Sequence, residues 1–151
     1  MYSGVLLIHS WLRWVALVSA VGVTLAAVRN LVEGERSLAD RWGLVAMIAL
    51  DFQMLLGLLL YFTLSPFTTE ALQNFSAAMA NPPLRFWAVE HTASMFAAVI
   101  FAHAGRALAR KARTPSAKRT RLLVCFGLAT ALILLGMPWP GLTNGRPLFR
   151  L

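Results

Sequence analysis

Acidic residues are scarce in this chain, six against fourteen lysines and arginines, and charge of either sign occupies only 13% of its 151 positions. Cysteine is scarcer still. Cys125 stands alone between Val124 and Phe126, so no disulfide and no multi-cysteine metal site can form within one chain. There it reads as a small buried hydrophobe. No Gly-rich phosphate loop, nucleophile elbow or zinc signature occurs, which argues against phosphoryl transfer and hydrolysis. Met47, Met54, Met95 and Met137 are scattered rather than clustered, and no internal repeat is evident. A copper permease or a solute transporter therefore finds little support.

Long apolar runs are what the chain does have, at 58% hydrophobic residues. About 20 apolar residues cross a bilayer as a helix. Four runs meet or approach that length: residues 4–28, 42–64, 86–105 and 122–138. The first carries Arg13 and two tryptophans and lacks a basic leader and a small-x-small cleavage site, so it reads as a retained helix. The expected fold is all-α, an integral membrane four-helix bundle in a single domain spanning 1–151.

Charge placement sets the expected orientation. Arg106, Arg110, Lys111, Arg113, Lys118, Arg119 and Arg121 fall in the segment 106–121 without a single acid. Such loops stay on the cytoplasmic side, where anionic head groups attract them. With no aromatics and no fold around it, the segment does not read as a nucleic-acid site. Both termini then lie on the outer, periplasmic face of a bacterial inner membrane, with the lipid bilayer as the first partner. Tyr2, Trp11, Tyr61, Trp87 and Trp139 fall near that face and Trp42 near the other. The outer linker 65–84 is bracketed by Pro66 and by Pro82 and Pro83, and Thr69 is expected to cap a short surface helix with Leu72, Phe75 and Met79 on one face. The tail 139–151 reads as irregular, basic and outer, suited to docking or to folding over the helix ends.

Ionisable groups inside a membrane are costly and therefore functional candidates. His9 lies about five residues into the first run, and His91 about six beyond Arg85 at the start of the third. Both runs point the same way, so the two imidazoles are expected at one level, roughly 8 Å below the boundary. Two histidines at one depth on two bundle helices suit a six-coordinate haem b, with His9 and His91 as iron ligands. Flat side chains for a porphyrin stand nearby in Trp11, Trp14, Phe86 and Trp87. Arg85, Arg146 and Arg150 are expected at the outer surface, where propionates want cations. Arg13, one turn below His9, is expected to pair with Asp51, near the level of Gln53. A packing role is the plain alternative for each of these polar groups. Glu90 would accept a hydrogen bond from Trp or Arg, or take a proton beside a quinol. His103 lies roughly 18 Å deeper than His91. It is expected to bond to a neighbouring helix or to meet a quinone head group, with ligation opposite Met47 a weaker option.

The stretch Leu7-Ile8-His9-Ser10-Trp11-Leu12-Arg13-Trp14 resembles the first helix of bacterial four-helix cytochromes b, the cytochrome b561 group. The resemblance covers some eight residues of 151. It implies haem b on helical histidines, electron transfer between quinol and a redox partner, and His9 as a ligand; His91 follows by depth. With three histidines the chain departs from a two-haem pattern, so one haem is implied. The function expected from sequence is thus a haem b membrane electron-transfer protein, a small subunit of a larger respiratory or photosynthetic complex rather than a free-standing enzyme. The alternative is an accessory structural subunit without its own redox centre, or with a histidine-ligated pigment or quinone.

Overall fold

The computed structural model describes residues 1–34 and 36–149. Of the residues singled out above, Arg150 lies outside the described part. The described residues are helical or irregular, with no strand among them. α1 runs Tyr2–Val28 and α2 Leu38–Leu59, the latter continuing through a π-helical turn, Leu60–Leu64. Three short helices follow: α3 (Pro66–Gln73), α4 (Phe75–Ala80) and α5 (Pro82–Arg85). A second π-helical turn, Phe86–Glu90, leads into α6 (His91–Arg110), and α7 spans Pro115–Gly136. Four stretches are long and apolar enough to cross a membrane: Tyr2–Val28, Leu38–Leu64, Pro82–Arg110 and Pro115–Gly136.

Each helix boundary has a local cause. Ser37 and Asp40 form a capping box at the start of α2, which satisfies otherwise orphaned N–H groups. Thr114 caps α7 and Pro115 takes its first turn, where a missing N–H costs nothing. The helices therefore reach well into the basic segment, leaving only a short connection between Arg110 and Pro115. Long Lys and Arg side chains permit this because their apolar stems lie along the helix while the charged heads leave it. In the linker, Thr69 is interior to α3 and donates to the Ser65 carbonyl at 2.8 Å. Asn74 opens a separate helix, accepting from the Ala77 N–H at 3.1 Å. The expected single helix is thus divided between Leu72 and Phe75.

α1 packs on α2 and α7, and α6 on α7 and α2, closing a four-helix ring. Its interior is built of small side chains. Ala20, Ala27, Ala46, Ala98, Ala102 and Ala129 surround the larger Leu50 and Phe126. Lipid offers helices no hydrophobic drive to associate, so close approach of small residues supplies the contact. At the α6–α7 crossing a Cβ on Gly105 would lie 2.6 Å from the Cβ of Cys125, a separation that admits glycine only. The larger apolar residues, Phe52, Leu55, Phe62, Ile100 and Leu135 among them, face outward, as bilayer contact requires.

At the basic end, cations close the bundle by meeting helix ends. Arg119 donates to the carbonyls of Ala27 and Val28, the last turn of α1. Arg121 donates to Leu108 of α6, and Arg106 to the Asp40 carbonyl of α2. Lys118 reaches the Asp40 carboxylate at 2.6 Å and the Gly34 carbonyl at 3.1 Å. The carbonyls that Arg119 and Arg121 meet lie at helix C-termini, where they lack partners and carry partial negative charge, so cations there are favourable.

Candidate functional site

A cleft opens between the spans at the opposite end, with about 1230 Å³ of empty space including its open mouth. His9 and Arg13 of α1, Gln53 and Tyr61 of the second span, and His91 of the third all line it, with Arg146 from the C-terminal segment. The two imidazoles are neighbours. Their ring centroids lie 6.4 Å apart with the planes at 65°.

Each histidine is held by a backbone feature. Nδ1 of His91 lies 2.7 Å from the carbonyl oxygen of Gly136, at the end of α7. That carbonyl is among the last of its helix, and Pro138 prevents the helix from continuing to use it. A carbonyl can only accept, so Nδ1 of His91 carries the proton and Nε2 keeps its lone pair. Trp87 and Phe86 flank the same ring at 5.4 and 6.0 Å. His9 is backed by Gly57, where a Cβ would stand 3.4 Å from its Cε1. Gln53 donates from Nε2 to the His9 carbonyl at 3.0 Å, tying α2 to α1 at this level. The Nδ1 of His9 and the Oε1 of Gln53 are buried without a hydrogen-bond partner. Buried polar atoms are nearly always satisfied, so this pair leaves hydrogen-bonding capacity open to an occupant of the cleft.

The two π-helical turns meet at the same cleft. Tyr61, in the first, donates its hydroxyl to the Ala88 carbonyl in the second at 3.0 Å. Thr92 donates to the Trp87 carbonyl at 3.0 Å and Thr68 to the Tyr61 carbonyl at 2.7 Å. A π turn widens the helix and frees carbonyls that side chains must then satisfy, and such turns concentrate at functional sites. Here the second turn sets the positions of Trp87 and His91.

Other sequence candidates have partners of their own. Trp11 is half exposed and packs on Phe149, with centroids 5.4 Å apart. Arg85 donates to Glu90 at 2.7 Å and to the Met79 carbonyl at 3.3 Å, outside the cleft. The expected Arg13–Asp51 pair is not made. Asp51 meets His103 of α6 at 2.7 Å, while Arg13 donates to the carbonyls of Pro147 and Leu148 at 3.0 and 2.6 Å. Helix geometry explains this: Asp51 and Gln53 are two residues apart, about 200° around the helix. When Gln53 faces α1, Asp51 must face away from it. His103 thus bonds to a neighbouring helix.

Sequence reasoning passed over Gly57 and Gly136, and it placed Arg146 at the outer surface with Arg85 and Arg150, where propionates want cations, without separating the three. The signal for Gly136 was present in the Gly-Met-Pro stop, which leaves a carbonyl free at the level of His91. Among the described residues no group of three or more His, Cys, Asp or Glu gathers to hold a metal ion by protein ligands alone. Comparison with known proteins gives no match to this chain, whether by family model, curated protein or solved structure.

Proposed function

We propose that this protein is a monohaem b-type membrane cytochrome, with His9 and His91 as the residues that would hold the haem iron and electron relay as its work. One observation carries the reading: the 6.4 Å between the imidazole centroids. A ring nitrogen binds a transition-metal ion at about 2 Å, so imidazoles at this separation would both be within reach of one ion placed between them. The donor chemistry agrees. The Gly136 carbonyl fixes the His91 tautomer and leaves Nε2 to bind, as metal-bound histidines generally require from their outer partners. The residues present fit the group.

Bound there, haem b supplies a one-electron iron couple, and its chemistry is the cofactor's own. The chain's part is to hold and tune it. Gly57 makes room for His9, Trp87 and Phe86 wall the His91 side, and the spans shield the site from water, which sets the potential through burial. On this reading the termini end faces the periplasm and the basic end the cytoplasm of a bacterial inner membrane, because positive segments stay inside. Membership of a larger respiratory or photosynthetic complex is supported by the His103–Asp51 hydrogen bond. Both side chains are nearly half exposed within spanning segments, and polar groups facing hydrocarbon call for a neighbour. A subunit or a quinone head group over that face would supply it.

The test is a reduced-minus-oxidised visible spectrum, with a pyridine haemochrome assay, on protein purified in mild detergent from its native membrane. A b-type band at one haem per chain is expected, lost in His9→Ala and in His91→Ala. A colourless native protein would overturn the reading and leave an accessory structural subunit; a pigment spectrum would replace haem with a histidine-ligated pigment.

A further inference from the structure

Beyond Gly136 the chain folds into a tight loop that returns to α1. The Arg146 N–H donates to the Pro138 carbonyl at 3.1 Å and the Gly145 N–H to the Leu142 carbonyl at 2.8 Å. Gly141 turns the chain at φ +89°, and a Cβ on Gly145 would lie 2.7 Å from the Trp139 carbonyl oxygen. The loop therefore requires glycine at both places. The strap that follows is fastened to α1: Trp14 donates from Nε1 to Leu148 at 3.0 Å beside the two bonds from Arg13, and Phe149 stacks on Trp14 at 5.6 Å. Arg146 is thus carried on a built segment, and its side chain lines the cleft.

Among the described residues three arginines approach this end of the bundle, and their surroundings differ. Arg13 is engaged by strap carbonyls, and Arg85 by Glu90 and Met79. The Arg146 guanidinium lies 5.0 Å from the Phe67 ring centre and 5.4 Å from that of Trp87. A guanidinium stacked on rings keeps its N–H edge available for a planar acceptor. Among the described residues no carboxylate pairs with it, and no Asp or Glu lines the cleft. A cation beside an apolar cleft becomes costly without a counter-charge once an occupant displaces water, so an occupant that brings its own anion is favoured.

We propose that Arg146 anchors a carboxylate of the molecule that fills the cleft, and that the site therefore selects a tetrapyrrole with free acid side chains over its esterified counterpart. This rests on the tetrapyrrole reading above and narrows it: an esterified pigment would present alkyl groups to Arg146. The Arg fork matches a carboxylate in two parallel hydrogen bonds, stronger than neutral ones.

The experiment is a titration of the full-length apoprotein, prepared from haem-deficient cells in detergent, with iron protoporphyrin IX and separately with its dimethyl ester. Wild type should bind the free acid about tenfold or more tightly than the diester. Arg146→Gln should erase that ratio by weakening the free acid alone, and Arg146→Lys should keep part of it. Diester affinity is the internal control for an intact cleft. A ratio unchanged in Arg146→Gln would overturn the proposal, as would a parallel fall in both affinities, which would make Arg146 a fastener of the strap. If wild type binds neither compound, the tetrapyrrole reading itself fails.

Discussion

His91 and Gly136 are joined across the seam of the third and fourth spans by a 2.7 Å hydrogen bond between imidazole Nδ1 and carbonyl oxygen. The bond couples the orientation of one ring to the place where α7 ends. It also makes a glycine with no chemistry of its own a determinant of the site.

Gly136→Ala should therefore damage the site more than its size suggests. A Cβ there would lie 2.5 Å from Cε of Met95 and 2.9 Å from Cβ of Ser94. The end of α7 must move off α6, carrying the carbonyl with it. We expect a stability loss of about 1–3 kcal/mol and haem retention weakened roughly tenfold, as for other outer partners of ligating histidines. Gly127→Ala is the control, since nothing stands within 4 Å of a Cβ at that position; it should be neutral or stabilising. Equal behaviour of the two variants in thermal melts and haem-transfer assays would refute the argument.

His103→Ala should leave the haem spectrum unchanged while altering what the protein associates with. His103 meets Asp51 at 2.7 Å on a face separate from the cleft lining. On the complex-subunit reading proposed above, blue-native electrophoresis of gently solubilised membranes should show the variant in a smaller or less abundant assembly than wild type. Loss of the haem band in this variant would mean that His103, not one of the paired histidines, is a ligand.

Tyr61→Phe removes the hydroxyl that serves the Ala88 carbonyl in the second π-helical turn. An apolar replacement leaves that carbonyl unsatisfied, at a cost of about 1–3 kcal/mol. Unfolding in mixed micelles should report that shift. Because the turn sets Trp87 and His91, the reduced haem band should also broaden.

Trp14→Phe keeps a ring against Phe149 and loses only the Nε1 bond to the Leu148 carbonyl. Amide hydrogen exchange over residues 139–149 should accelerate several-fold, since a local opening is favoured by about 1 kcal/mol. Exchange within α7 should not change. Uniform acceleration would indicate loss of the bundle rather than release of the strap.

The meeting of His9 and His91 was legible in the sequence because helical rise converts residue offsets into depth, and both spans run the same way. Depth alone places groups on a level. It does not give the azimuth, so the expected Arg13–Asp51 pair could be level-matched and still not form. Rotation of α2 is decided by Gln53 facing α1, which turns Asp51 to α6 and His103. Likewise, a cluster of seven cations reads in sequence as a loop, whereas Arg119, Arg121 and Lys118 lie on a helix and meet the ends of its neighbours.

The sequence by itself determined the number of spans, their approximate limits and the basic end, because hydrocarbon thickness and the cost of burying charge act on composition and order alone. It also put two imidazoles at one depth. The tertiary structure decided which groups share a cleft, which cation is left facing it, and which carbonyl orients His91. Those depend on helix rotation, on where α7 stops, and on a strap whose contacts join residues more than 130 positions apart, relations that no local pattern in the chain encodes.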